Sequence, residues 1–371
     1  MRLCRLHIEQ FRNLQPLTLE PHPALTVISG QNGQGKTNLL ESIWMLSGAK
    51  SFRAAREAEV VQRGQSWARL EGVVESAAPE ARQDTLEVTI RLEESGGRRA
   101  ARTARKNGVD FGRAGNLAGE FPCVVFAPGH IEMVSGAPEG RRRFLDAALC
   151  QLYPGYLENL RRYTRALLQK NACLKAAKNA FRSPAPELLE PFDAQLALHG
   201  AAVAARRREY TAALAEAAAE QYRGISDGRE SLQLSYLPCT PQEWEAEALL
   251  QALRCARPAD ARAGFCTVGV HRDDVGFRLD DADARTYASQ GQRRSIVLSA
   301  KIAELELIGK ITSQTPVLLL DDVLSELDDA RQDYLLNRIQ GKQVFITSCN
   351  PGLFAHTGGQ IITLENGCLL E

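Results

Sequence analysis

The stretch "GQNGQGKTNLLESI", residues 30–43, decides the fold. It follows the apolar run "ALTVIS", and Gly30 to Thr37 fits G-x-x-x-x-G-K-[ST] without a mismatch. In that pattern Gly30, Gln31, Asn32, Gly33, Gln34 and Gly35 present successive backbone N–H groups to a phosphate. Glycine is needed at 30, 33 and 35, where side chains would crowd the anion. Lys36 then reaches the outer phosphates as a point charge, and the Thr37 hydroxyl is a ligand for Mg²⁺. Leu25 to Ser29 reads as a buried strand, and Leu39, Leu40, Ile43 and Leu46 recur at helical spacing. The anion would therefore sit at a helix N-terminus, where the dipole favours it.

The chain around this loop has 371 residues, enough for about two domains. Its formal net charge is zero, so a polyanion would have to meet a local patch. Nine cysteines are scattered without a C-x-x-C, which argues against a disulfide framework and against a zinc site. The N-terminus lacks a signal-peptide core and no segment has the length of a membrane span, so a cytoplasmic protein is expected.

Strand patterns fill the first third: "RLCRLHIEQ", "WARLEGVVES", "TLEVTIRLEE" and "CVVFAP". From about Glu139 to Gly228 the texture turns to long helix-period stretches rich in Ala, Leu and Arg, broken by "RSPAPELLEP". Strand-and-helix alternation then returns. An α/β domain split by a mainly helical insertion is expected, with boundaries at 1–126, 127–265 and 266–371.

"PVLLLDDVLSELDD", 316–329, is an apolar run ending in two carboxylates. A fully buried parallel strand reads this way, with ligands just past its C-terminal end. Alone the run fits a helix N-cap with an acidic first turn equally well. Beside a phosphate loop, Asp321 is expected to hold Mg²⁺ and Asp322 to orient or deprotonate the attacking water. "YASQGQRRSIVLSAKIAELELI", 287–308, places Ser289, Gln290, Gly291 and Gln292 at the start of a long helix. Whether they are an anion site or a plain helix cap stays open on these residues alone. "HRDD" at 271–274 echoes the kinase H-R-D loop, but Arg278 stands where that loop needs Asn, so a kinase is excluded. His271 and Asp273 are expected in a structured polar turn.

"SQGQRR" is similar to the signature motif of ABC-type ATPases, and "LLLDDVLSELDDARQ" resembles their metal strand joined to the D-loop. With "IEQFRNL" at 8–14, "AKSFR" at 49–53, "RRRFLD" at 141–146 and "QKNACLK" at 169–175, the chain resembles the bacterial recombination-mediator family related to the SMC and Rad50 heads. The resemblance implies an ABC-type P-loop ATPase head that dimerises on ATP and Mg²⁺, the phosphate loop of one protomer facing the signature of the other. It implies ATP-dependent binding of DNA near single-strand gaps, slow hydrolysis used as a timer, help in recombinase loading, and the partners RecR and RecO. It likens Arg12 to the arginine that approaches the phosphates, and Arg53 to the arginine near nucleotide or DNA. Two positions depart from the pattern: "FAPGHIEMV" at 126–134 has no glutamine for the metal, and "QVFITSCNP" at 343–351 offers Thr347 where transporters carry histidine. The chief rival, a transporter ATPase subunit, is disfavoured by the helical insertion, "SQGQ" and Asp322.

For DNA, "ESGGRRAARTARKNG" at 94–108 reads as a basic hairpin tip carrying Arg98, Arg99, Arg102, Arg105 and Lys106. Such a cluster would neutralise a phosphate backbone with release of counterions, although a solvated tip explains it as well. Arg141 to Arg143 form a second patch. Aromatic residues make up 6% of the chain and none is interleaved with these patches, which favours duplex backbone contact over single-strand stacking, without sequence specificity.

Overall fold

The strand Leu25–Ser29 runs at the centre of a six-stranded sheet. In order across that sheet lie Cys368–Leu370, Gln360–Glu365, Leu25–Ser29, Val344–Ser348, Val317–Leu320 and Cys123–Phe126, all parallel except the first pairing. Val317–Leu320 and Cys123–Phe126 are buried along their whole length, which is why they read as unbroken apolar runs. This computed structural model describes every residue except 55, 77–81, 94–99, 182–183, 240–244, 355–357 and 371.

A second sheet is antiparallel throughout, in the order Leu17–Leu19, Arg2–Glu9, Trp67–Glu75, Gln83–Leu92, Ala100–Lys106 and Val109–Arg113. Its strands alternate buried and exposed residues, as a sheet with one dry face must. The helix Lys36–Leu46 touches strands of both sheets and is buried almost all round. The basic stretch differs from its sequence-based expectation. Ala100–Lys106 is a strand, and the turn falls on Asn107 and Gly108, whose φ values of 52° and 77° suit a two-residue hairpin.

Contacts divide the chain into two units, Met1–His130 with Lys301–Glu371, and Ile131–Ala300. The expected boundary at 265 thus differs from the observed grouping, in which 266–300 falls with the helical unit. That unit holds the helices Pro138–Leu152, Pro154–Asn179, Pro186–Ile225 and Ala246–Ala263, the first three opening on a proline whose missing N–H costs nothing there. It also contains a three-stranded antiparallel sheet of Ala282–Asp283, Asp274–Leu279 and Leu232–Leu237. Charged groups tie it together. Arg141 forks onto Asp274 at 2.6 and 2.9 Å, Arg207 pairs with Asp146 at 2.8 Å, and Lys170 lies between Asp193 and Asp260 at 2.8 and 2.7 Å.

Candidate nucleotide site

The loop after Leu25–Ser29 is shaped by its glycines. Gly30, Gly33 and Gly35 have φ of 146°, 84° and 108°, and a Cβ on Gly30 would lie 2.4 Å from the Leu364 carbonyl oxygen. Lys36 opens the helix and its Nζ donates to the carbonyls of Gly30 (2.6 Å) and Gln31 (2.9 Å), with Cys349 Sγ at 3.3 Å. Cys349 Sγ also lies 3.2 Å from Asn32 Oδ1. Gln34 is anchored by the turn at 366–367, whose N–H groups reach its side-chain and main-chain oxygens at 2.5 and 3.2 Å.

Two segments far apart in sequence meet beside the loop. Thr37 Oγ1 donates to Asp321 Oδ1 at 2.7 Å, across 284 residues. Between their strands lies Val344–Ser348, whose Thr347 Oγ1 donates to the same oxygen at 3.0 Å. Asp321 is buried, and burial raises its carboxyl above the usual range; the hydroxyl donors of Thr37 and Thr347 and the charge of Arg53 pull it back. Asp322 has φ 51°, in the left-handed region, and its N–H donates to Thr347 Oγ1 at 2.8 Å. Thr37 and Asp321 are hard oxygen donors that fit Mg²⁺, which keeps waters and phosphate oxygens as its other ligands. Among the described residues no group of three or more His, Cys, Asp or Glu side chains forms a separate metal cluster.

Other predicted residues have different surroundings. Arg12, at φ 54°, forks onto the fully buried Glu41 at 2.9 and 3.0 Å and donates to the Glu59 carbonyl, so its guanidinium is held by the protein itself. The neighbouring Asn13 does what no motif announced. Its amide donates to the Gly33 carbonyl at 3.1 Å and its oxygen accepts from Asn38 at 2.6 Å. Arg53, placed with the DNA contacts on sequence grounds, is exposed and donates to Asn38 Oδ1 at 3.1 Å, on the first turn of the phosphate-loop helix. At 127–130, His130 Nδ1 accepts from the Ala127 N–H at 3.2 Å, and its ring stacks on Phe126.

The signature segment starts the helix Gln290–Thr312 with a reciprocal cap. Ser289 Oγ accepts from the Gln292 N–H at 3.2 Å, while Gln292 Oε1 accepts from the Ser289 N–H at 2.7 Å. Gln292 Nε2 further donates to Glu230 at 2.7 Å, and Glu230 accepts from the buried Tyr222 hydroxyl at 2.5 Å. A helix cap at Ser289 was one of the two readings open on sequence; the link to Glu230 carried no sequence signal.

The basic candidates separate. Arg102 is nearly buried, donating to the Ala49 carbonyl at 2.5 Å and pairing with Glu57 at 2.9 Å. Lys106 lies between Glu120 and Asp84 at 2.5 and 3.3 Å. Both are committed inside the fold rather than standing as surface cations, because strand pairing brings acids up to them. Arg105 is exposed, and Arg98 and Arg99 lie outside the described residues. Arg141 is likewise buried on Asp274, and Arg142 donates to the Asp273 carbonyl at 2.6 Å. The "HRDD" turn is thereby absorbed as architecture. Asp273 accepts from Tyr236 and from the Cys239 N–H, and His271 bonds Tyr163 at 2.6 Å and the Cys266 carbonyl at 3.0 Å.

The family described as RecF/RecN/SMC N terminal domain matches residues 2–366. A DNA replication and repair protein RecF from Staphylococcus haemolyticus (strain JCSC1435) is 38% identical, covering 94% of this chain and 93% of that one. Its counterpart from Lactobacillus delbrueckii subsp. bulgaricus is 39% identical over 99% of this chain and 98% of its own. Among solved structures, the recombination mediator protein RecF with ATP, of the RecFOR pathway, superimposes with a TM-score of 0.89 at 32% identity, covering 99% of this chain and 96% of that one. An Smc head bound to the C-winged helix domain of ScpA shares the fold, with a TM-score of 0.53 at 14% identity over 100% and 96% of the two chains.

Proposed function

The chain belongs to the RecF family of SMC-related ATPases, and from that premise we propose that it is an ATP-dependent DNA-binding protein of replication and repair. The observation that carries this reading is the convergence of Thr37, Asp321, Thr347 and Asp322 at the carboxyl ends of three neighbouring parallel strands, next to the Gly30 loop. ATP lies along Gly30 to Gly35, with Lys36 exchanging its loop carbonyls for the outer phosphates. Thr37 and Asp321 would hold Mg²⁺, which screens phosphate charge when bound. Asp322 orients the attacking water and takes its proton.

Two protomers associate through ATP, the Ser289–Gln292 cap of one meeting the nucleotide of the other, and hydrolysis is slow enough to time the release of DNA. DNA is contacted through its backbone near single-strand gaps, without base readout. Among the candidates on the strand Ala100–Lys106, the exposed Arg105 supports this reading. RecR and RecO, the other members of the pathway named with the solved relative, are the expected partners. A transporter subunit is not favoured, because the relatives are replication and repair proteins.

Sedimentation with ATP and duplex DNA tests the shared site. Lys36→Met removes a charge-assisted contact and should weaken ATP binding roughly tenfold or more. Ser289→Arg should bind ATP as a monomer yet not associate. An equimolar mixture of the two should recover partial association, because one intact loop then faces one intact signature. Loss of ATP binding by monomeric Ser289→Arg would show that the signature acts within its own chain.

A further inference from the structure

We infer that Thr347 is a positioning residue for ATP hydrolysis, its hydroxyl setting both the Asp321 carboxylate and the backbone of Asp322. The inference rests on the reading above of Asp321 and Asp322, and goes beyond it by naming what holds them.

The direction of each hydrogen bond follows from chemistry. A backbone N–H can only donate, so at 2.8 Å from the Asp322 nitrogen the Thr347 oxygen is the acceptor. The single hydroxyl proton is then left for Asp321 Oδ1 at 3.0 Å. Thr347 is buried, so no solvent competes for either bond. Its β-branch restricts χ1, which keeps the hydroxyl aimed at the end of the neighbouring strand.

Asp322 needs this support. At φ 51° it occupies a conformation that L-residues other than glycine adopt with strain, and such residues persist where the surroundings over-determine them. Here the surroundings are explicit. Thr347 takes the N–H of Asp322, and Ser325 Oγ donates to its carbonyl oxygen at 2.7 Å. The peptide between Asp321 and Asp322 is thus held from a third strand, and the direction of the Asp322 side chain is set by a residue that touches neither phosphate nor water.

The same hydroxyl fixes Asp321. Thr37 and Thr347 both donate to Oδ1, so the carboxylate plane is defined and Oδ2 is left for other partners. Removal of the Thr347 hydroxyl frees both residues at once while removing no group of the Gly30 to Thr37 loop. The expected signature is a selective loss of turnover.

The experiment compares Thr347→Val, which keeps the volume and loses the hydroxyl, with Thr347→Ser, which keeps the hydroxyl. ATP affinity is read by equilibrium titration and hydrolysis by single-turnover kinetics with duplex DNA. Thr347→Val should hydrolyse roughly tenfold or more slowly with ATP affinity within about threefold of the parent, and Thr347→Ser should stay within about threefold in both. Thr347→Ala serves with the same expectations should the valine variant not purify folded. Parental turnover in Thr347→Val, equal losses in Val and Ser, or a loss of affinity equal to the loss of rate would each overturn the assignment. Asp322→Asn is the control for the underlying reading. Slow turnover there with normal turnover in Thr347→Val rejects the inference alone, whereas normal turnover in Asp322→Asn rejects the role of Asp322.

Discussion

Two buried charge clusters, one in each unit, are built in opposite ways. In the helical unit Lys170 is fully buried, and so are the two aspartates it touches. Asp193 is also bound by Arg257 at 2.8 Å, and Asp260 accepts from the Thr267 N–H and hydroxyl at 2.7 and 2.6 Å. Each charge of this cluster has an opposite charge in contact. In the head Asp321 is buried too, yet its hydrogen-bond donors Thr37 and Thr347 are neutral hydroxyls. A buried carboxylate without a cation in contact is costly. Matched charge is architecture at Lys170, and at Asp321 the unmatched carboxylate beside the Gly30 loop supports the proposed cation site. Asp273, equally buried, is answered instead by the Tyr236 hydroxyl and the Cys239 N–H. Arg12 falls on the architectural side by the same criterion, because Glu41 answers it.

The sharpest way to break this comparison is Lys170→Met. Methionine fills similar space but leaves two buried carboxylates facing each other. Breaking such a pair from one side typically costs about 3–5 kcal/mol. Urea denaturation followed by circular dichroism should show the midpoint fall accordingly. A loss below about 1 kcal/mol would mean that water or a proton already compensates the aspartates, and the distinction between the clusters would lapse.

How much of this was legible in the sequence depended on whether the partners were near neighbours along the chain. The glycine-rich loop, its helix, the strand ending at Asp321 and the helix start at Ser289 are local patterns, and the structure has these elements at the same residues. The site's supports are not local. Thr347 reaches Asp321 across 26 residues and Asn13 reaches Gly33 across 20, by strand order that no spacing encodes. The surroundings of two of the basic candidates were hidden for the same reason. Arg102 and Lys106 look exposed until Glu57, Asp84 and Glu120 are brought against them. Ala100–Lys106 also hid as a strand because alanine is a weak strand former, although Asn107-Gly108 was a legible hairpin signal.

A pH titration sharpens the architectural side. Burial pushes the His271 imidazole down to about 4, from an ordinary value near 6.5. Below the ordinary value the unfolded chain takes up a proton that the folded chain refuses. His271 thus contributes its full stability above about pH 6.5, loses it as the pH falls, and has none left below about 4. The loss approaches about 3 kcal/mol across that window. Urea midpoints measured at pH 7, 5.5 and 4.5 should fall more steeply for the parent than for His271→Gln, whose amide can still meet Tyr163 and the Cys266 carbonyl. Parallel slopes would show that His271 takes up its proton in the folded protein as readily as in the unfolded chain.

The smallest effect has the opposite sign and bears on the head. Burial raises the Asp321 carboxyl, so the folded state holds that proton more firmly than the unfolded chain does. For an acid this means that ionisation opposes folding, with stability lost as the pH rises through the folded value and still missing at neutrality. Asp321→Asn removes the charge and keeps an oxygen for the Thr37 and Thr347 hydroxyls. In the absence of nucleotide the variant should therefore melt above the parent, an uncommon outcome for a buried polar substitution. Adding ATP and Mg²⁺ should reverse the order. The parent gains stability by mass action, while the variant, lacking the carboxylate for the cation, gains less. Differential scanning calorimetry at pH 7 in both conditions reads the two signs directly. A variant that melts below the parent without nucleotide would show that Asp321 is already compensated within the fold, and that its lack of a cation partner is no mark of function.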